Sequence, residues 1–179
     1  MSKGSNLKSR SAEPRDMAAI TAIYNEGIAE RIATFETEPR IERQVSQWLG
    51  RRFPMVVAEN GHGQVVGFGS TSPYRERPCY AGIAEFSVYV ARAHRGEGAG
   101  AIIMEELIES AVVAGFCKLV SRIFVANAAS RGLCRKMGFR EVGTYHRHGK
   151  LDGAWRDVVI VERLIGEAAA QDIEASRRS

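Results

Sequence analysis

Apolar positions along the chain alternate between a spacing of two and a spacing of three to four, and each change of spacing marks a new element. Leu7 to Ala12 reads as a short first strand. A helix starts at Glu13-Pro14-Arg15-Asp16, with proline in the first turn, where its missing N–H costs nothing. Ile20, Ile23, Tyr24 and Ile28 continue it at helical spacing, and Gly27 weakens its end. The loop Thr34 to Pro39 leads to a second helix carrying Ile41, Val45, Trp48 and Leu49. Met55–Glu59 and Gln64–Ser70 form a hairpin around Asn60-Gly61-His62-Gly63. A polar loop over 72–78 precedes a strand at Ile83–Val90. The helix Ala99–Ala114 stops at Gly115, a strand follows at Leu119–Val125, and a short helix over Ala128–Lys136 ends at Gly138-Phe139. The last strands lie near Arg140–His146 and Ala154–Leu164. This alternation predicts an α/β fold, a mixed central sheet covered by helices.

Composition narrows the class. A length of 179 residues fits one domain, placed at 7–165, with 1–6 and 166–179 as flexible termini, the last stretch frayed or helical. No apolar stretch approaches the roughly 18 residues of a membrane span, so no membrane partner is expected. The polar start Met1-Ser-Lys-Gly-Ser-Asn lacks the apolar core of a signal peptide. Cys79, Cys117 and Cys134 are odd in number and lack metal-ligand spacing, which fits a reducing cytoplasm. His146 and His148 alternate on a strand and so face one side, and with His94 they make no metal set, so no metal is expected. The net charge of +4 is dispersed, with no basic block longer than Arg51-Arg52. That pattern leaves out a nucleic-acid partner and suits an anionic cofactor with a small anionic substrate.

The most informative chemistry is the run Arg95-Gly96-Glu97-Gly98-Ala99-Gly100 between a strand and a helix. A glycine-dense turn that opens a helix aims unpaired N–H groups, here those of residues 96 to 101, at one point that favours a phosphate. A Walker loop would need a Lys-Ser/Thr pair that is absent, and a dinucleotide fingerprint would need Gly-x-Gly-x-x-Gly at the start of a βαβ unit. The run does fit Arg/Gln-x-x-Gly-x-Gly/Ala through Arg95, Gly98 and Gly100. About thirty residues later comes Asn127-Ala-Ala-Ser130-Arg-Gly-Leu133-Cys-Arg-Lys136-Met-Gly138-Phe139. These two blocks, in this order, resemble the signatures of the GCN5-related N-acetyltransferase (GNAT) superfamily, and the resemblance runs from about Lys8 to Leu164.

The resemblance implies the GNAT fold: a mixed sheet splayed between its fourth and fifth strands, here Ile83–Val90 and Leu119–Val125, with acetyl-CoA in the split. Arg95, Gly96, Glu97, Gly98, Ala99, Gly100 and Ala101 would surround the pyrophosphate, with Asn127 and Ser130 from the second block. The backbone of Ser87, Val88, Tyr89 and Val90 would pair with the pantetheine amides and offer an N–H to the thioester oxygen. An ammonium must lose a proton before it attacks, and Glu85, in a mostly apolar strand near the thioester, is the candidate base. Burial there would raise its pKa. The leaving thiolate needs little acid help; many relatives carry Tyr where this chain has Cys134, so Cys134, a water or no acid at all serves that step.

Further segments resemble the phosphinothricin-acetyltransferase branch: Ile23-Tyr24-Asn25, Phe35-Glu36-Thr37-Glu38-Pro39, Glu85-x-x-Val88-Tyr89-Val90, and Gly149-Lys150 with Trp155-Arg-Asp157-Val158. That branch acetylates amino-acid analogues with a tetrahedral oxyanion: phosphinothricin, methionine sulfone or sulfoximine, and arsinothricin. Such a substrate carries two anions, and Arg75 and Arg77, in the loop before the Glu85 strand, suit them. Phe35, Glu36 and Tyr80 would complete the pocket, with Lys150 in reach of it or at the surface and Trp155 and Asp157 as structural residues. Two other readings stand beside this one. The first is an acetyltransferase of protein N-termini, against which the paired arginines argue; the second is a non-catalytic acetyl-CoA sensor, against which the retention of Glu85 argues. A homodimer is expected from the resemblance alone.

Overall fold

The computed structural model describes residues 6–50 and 52–178; residues 1–5 and 179 of the termini expected to be flexible, and Arg51 of the basic pair, lie outside the described residues. Seven strands make one mixed sheet in the order β1-β2-β3-β4-β5-β7-β6. They are β1 (Lys8–Ser11), β2 (Met55–Glu59), β3 (Val65–Pro73), β4 (Ile83–Val90), β5 (Lys118–Phe124), β6 (Arg140–Leu151) and β7 (Ala154–Leu164). The helices are α1 (Met17–Glu30), α2 (Glu42–Ser46), α3 (Ala99–Val113), α4 (Ala128–Lys136) and α5 (Gly166–Arg178).

Strand alternation explains how both faces become covered. Val56, Ala58 and Val66 join a core under α3 with Ile103, Met104 and Leu107. Met55, Val57 and Phe68 point the other way, onto Met17, Ile20, Tyr24 and Ile28 of α1. Phe68 and Ile20 are wholly buried, a gain of about 1.5–3 kcal/mol each. Gly67 and Gly69 let α3 come close: a Cβ at either would stand 2.8 or 2.7 Å from Ile103.

The sheet opens where the resemblance places the split. β4 and β5 pair in parallel only through Ile83↔Lys118, Ala84↔Leu119 and Glu85↔Val120. Beyond Glu85 they diverge, while β5 stays paired with β7 along its whole length and swings away with it. β4 keeps β3 as its other neighbour out to Val90.

Several elements differ from the sequence reading. Gly27 does not end α1; the helix continues to Glu30, and the glycine makes room for the Tyr89 ring, which a Cβ would meet at 2.8 Å. Arg31, in the left-handed region at φ 59°, terminates it instead. The second helix is a single turn, because Trp48 and Leu49 pack from the turns that follow it. Ser72 and Pro73 belong to β3, paired with Glu85 and Ala84, and not to a loop. β6 runs on to Leu151, with a register break between Tyr145 and Gly149. That break overturns the expected alternation of His146 and His148. Asp157 holds it by accepting from the Arg147 N–H at 2.7 Å and meeting His146 Nδ1 at 2.9 Å, while His148 stacks on Tyr145. Residues 166–178 form α5. Among the described residues no helix is long and apolar enough to cross a membrane.

Candidate active site

The split between β4 and β5 holds a cleft with about 360 Å³ of free space, floored by Val88, Tyr89 and Val90 and closed at one end by the start of α3. Gly98 caps that helix at φ 96° and Gly96 precedes it at φ 79°, both in the left-handed region where glycine avoids strain. A Cβ at Gly96 or Gly98 would meet only open space, so the free space reaches the backbone itself. The N–H groups of Gly98, Ala99 and Gly100 have no backbone acceptor among the described residues. Ala101, expected to donate with them, instead gives its N–H to the Gly98 carbonyl at 3.0 Å; it lines the cleft without serving as a donor. The set suits a pyrophosphate: three free donors on a helix N-terminus, with Lys136 supplying a cation at the wall. Beside it, the β4 backbone past Glu85 lacks a partner on the β5 side, which suits an amide-bearing arm.

Other residues assigned to this cleft have different duties. Arg95 points its fork at Glu30, at 3.0 and 2.7 Å, and donates from Nε to the Val90 carbonyl at 3.1 Å. Arg92 also reaches Glu30, at 2.7 Å, and the hydrogen bond from Arg95 holds the Glu30 carboxyl below the usual range. Glu97 stands outside the lining and meets His94 Nδ1 at 3.1 Å. Asn127 Oδ1 accepts from the Ser130 N–H at 3.1 Å, capping α4, and its Nδ2 donates to the Ile32 carbonyl. Asn127 and Ser130 therefore shape the cleft wall by fixing α4 against the segment after α1.

A second cavity, about 860 Å³, meets the cleft at Ala33 and Tyr89. Glu85, Ser87 and Tyr89 share one face of β4 and all three line it. Its walls are aromatic: Tyr24, Phe35, Trp48, Phe53, Phe68, Tyr89 and His148. The Tyr89 ring contacts those of Tyr24 and Phe68 at centroid distances of 5.1 and 5.4 Å, and burial raises the Tyr89 phenol well above its ordinary pKa. Phe35 packs edge-on against Phe124 at 4.7 Å, in space that Gly149 leaves open.

Glu85 is not in the apolar setting expected of it. Arg122 grips it: Nε and Nη2 reach Oε1 at 3.1 and 2.7 Å, and Nη2 reaches Oε2 at 2.8 Å. Glu36 also lines this cavity and is paired with Arg40 at 2.7 Å. Of the proposed substrate residues, the structure thus brings Phe35 and Glu36 to Glu85. Arg75, Arg77 and Tyr80 are not in the wall; Arg75 lies over the Tyr74 and Tyr80 rings at 5.3 and 5.9 Å. Their loop begins just past Pro73, which does line the rim. Lys150 sits over Trp155, 5.0 Å from the ring centroid, and not in the cavity. Cys134 is buried at the junction of cleft and cavity, where desolvation pushes its thiol up to about 12. A proton passed from it to a thiolate of ordinary pKa, near 8.5, would travel uphill by roughly 5 kcal/mol, so Cys134 is a poor acid for that step, and a thiolate of so low a pKa leaves without one and is protonated from bulk solvent afterwards.

Sequence reasoning missed Arg122, Glu30, Ala33 and His148. Arg122 was within reach once the register was known: two residues past Val120, it shares the face of Glu85. Among the described residues no three His, Cys, Asp or Glu side chains group as metal ligands.

Comparison with known proteins agrees with this geometry. Residues 20–139 match the acetyltransferase (GNAT) family. The L-methionine sulfoximine/L-methionine sulfone acetyltransferase of Pseudomonas aeruginosa is 32% identical over 157 residues, covering 86% of this chain and 91% of that protein. A phosphinothricin acetyltransferase of Sinorhizobium meliloti, solved with acetyl-CoA, superposes with a TM-score of 0.86 at 31% identity, covering 92% of this chain and 91% of its own. A ribosomal-protein-alanine N-acetyltransferase of Brucella melitensis superposes with a TM-score of 0.84 at 36% identity, covering 88% and 99%. The chain belongs to the GNAT family and is an N-acetyltransferase whose donor is acetyl-CoA.

Proposed function

We propose that this enzyme acetylates the α-amine of a small amino-acid-like compound with a tetrahedral oxyanion on its side chain. Phosphinothricin, arsinothricin, methionine sulfone and methionine sulfoximine are the candidates, and the outcome would be detoxification and resistance in the cytoplasm. The observation that carries this reading is the aromatic-walled cavity that joins the acetyl-CoA cleft and contains Glu85. Its volume is that of a small-molecule site. Relatives named for acetylating methionine sulfone and phosphinothricin support the substrate class.

In this reading the pyrophosphate lies on the Gly98, Ala99 and Gly100 N–H groups, and the pantetheine arm pairs along Ser87 to Val90. Glu85 takes one proton from the substrate ammonium. The freed nitrogen lone pair attacks the thioester carbonyl carbon, and a β4 backbone N–H stabilises the oxyanion. The tetrahedral adduct loses a second N–H proton to solvent as the C–S bond breaks. The thiolate leaves and is protonated by water. Arg75 and Arg77, a few residues beyond the rim at Pro73, receive the side-chain oxyanion, and Phe35 packs on the substrate stem.

A thiol-release assay with acetyl-CoA against the four analogues, ordinary amino acids and an alanine-terminated peptide tests this. Strong preference for one oxyanion analogue is the expected result. Preference for the peptide would favour the second reading, a protein N-terminal acetyltransferase, which the Brucella relative's name supports at 36% identity. We further propose a homodimer through the sheet edge: β6 residues 140–148 are exposed, Val142 and Tyr145 among them, with Trp155 beside them. Sedimentation showing only monomer at micromolar concentration would remove that proposal.

A further inference from the structure

We infer that Arg122 is the receptor for the substrate's α-carboxylate, and that the carboxylate frees Glu85 for catalysis by taking Glu85's place on the Arg122 fork. This rests on the reading of the cavity as the site of an amino-acid α-amine. Both residues line that cavity. Among the described residues Arg122 has no partner except Glu85, whose two oxygens both accept from it at 2.7 and 2.8 Å. Arg122 is half exposed and Glu85 more sheltered, so the guanidinium is open to an arriving ligand while its present partner occupies the fork.

In the pair as it stands both Glu85 oxygens are turned to the Arg122 fork, where an arriving ammonium would meet the guanidinium charge beside them. An α-amino acid resolves this by its shape. Its carboxylate and its ammonium are attached to one carbon, and Glu85 and Arg122 touch. A zwitterion laid across them with opposite polarity turns one ion pair into two, Arg122 with the carboxylate and Glu85 with the ammonium. Net charge in the cavity is unchanged by this exchange. An amine without a carboxylate adds a positive charge and brings nothing to take Glu85's place, so the base stays held. In the exchanged state one N–H bond of the ammonium breaks, its proton goes to a Glu85 Oε, and the lone pair remains on nitrogen for attack. The carboxylate stays on Arg122 through acetyl transfer. Recognition of the acid group and release of the base are then one event, and Arg122 determines specificity for free α-amino acids over peptide N-termini, amides and simple amines.

The test compares methionine sulfone with its primary carboxamide, which keeps the side chain and the α-amine but lacks the carboxylate. Initial rates of thiol release are measured for the wild-type enzyme, Arg122→Gln and Arg122→Lys. The wild type is expected to favour the acid by at least about ten-fold, with part of the difference in kcat, as for a charge-assisted contact. The carboxamide's α-amine is the less basic of the two, a bias that works against the expected preference. R122Q is expected to lose most of the rate on the acid and to hold or raise the rate on the carboxamide; R122K should recover part of the preference. Equal wild-type rates on both compounds, or equal losses on both in R122Q, would overturn the inference and leave the proposed function intact. If another of the four analogues is the preferred one, the same comparison is made with that acid and its carboxamide; wild-type inactivity on all four acids, with acetyl-CoA binding confirmed, would remove the proposed function and this inference with it. Should R122Q fail to fold, the wild-type and R122K ratios decide the matter.

Discussion

The cleft proposed for acetyl-CoA and the cavity proposed for the acceptor adjoin at Ala33 and Tyr89, yet they are made of different material. Main-chain groups do most of the work in the cleft: the free N–H groups at the start of α3 and the β4 backbone that β5 leaves unpaired. The cavity is made of side chains from separate segments, with aromatic walls and charged residues held in pairs. Each region contains an arginine fork on a glutamate. Glu30, 10% exposed and bound by both Arg92 and Arg95, ties the end of α1 to the turn before α3. Glu85 has one arginine among the described residues and faces a cavity. The first fork is a clamp that keeps a loop in place; the second stands where a ligand can exchange with it. A main-chain site depends on backbone conformation, whereas a side-chain site depends on which residues are present.

The sharpest way to break this separation is Glu85→Gln. It should lower kcat by about 10²–10⁴-fold, the usual contribution of a general base, while the acetyl-CoA Kd measured by calorimetry stays put. A Kd that moved with kcat would mean the two regions act as one. Gly149→Val probes the cavity from behind. The first added carbon would stand 2.7 Å from the Phe35 ring, so the ring must move. Acceptor KM should rise about ten-fold, overpacking should cost about 1–3 kcal/mol, and the acetyl-CoA Kd should not change. Gly98→Ala does the reverse. At φ 96° a side chain is strained by about 1–2 kcal/mol, so the acetyl-CoA Kd should weaken up to about ten-fold while kcat at saturating cofactor survives.

The same contrast explains how much was legible in the sequence. The cleft was legible because Gly96, Gly98 and Gly100 cluster in a few positions and the Asn127 block follows at a fixed distance. β4, α4 and β7 match the expected bounds, and their ends carry signals such as Gly138 at φ 77°. The cavity was only half legible. Phe35 and Glu36 were found by resemblance, but Arg122 lies 37 residues from Glu85, and only the β4–β5 register brings them together. Gly27 misled because its packing reason, the Tyr89 ring, belongs to a strand over sixty residues away. The His146/His148 alternation failed because a register break held by Asp157 carries no period of its own.

Cys134 sits at the junction and tests whether the two regions share a proton donor. With its thiol pushed up to about 12, Cys134→Ser should keep kcat within about two-fold, read by the same thiol-release assay. A much larger loss, with the fold intact by circular dichroism, would return Cys134 to the role of acid.

The smallest expected effect separates the clamp from the exchangeable pair. The Arg95 hydrogen bond, opposed by burial and aided by Arg92, holds the Glu30 carboxyl below its ordinary value of about 4.5. A lowered carboxylate stabilises the fold above that ordinary value, and the contribution is lost as pH falls through the folded one. Because Arg92 and Arg95 are substantially exposed, solvent screening limits the contribution to about 1 kcal/mol at neutral pH. Urea unfolding of the wild type and Glu30→Gln should therefore show a modest gap at pH 7 that closes below about pH 4.5. Subtracting the variant removes the acid sensitivity of every other carboxylate, so a gap that persists unchanged to pH 3 would show that Glu30 holds the turn by shape and not by charge. Added methionine sulfone should leave this gap unaltered, because the clamp, unlike the Glu85–Arg122 pair, does not face the acceptor cavity.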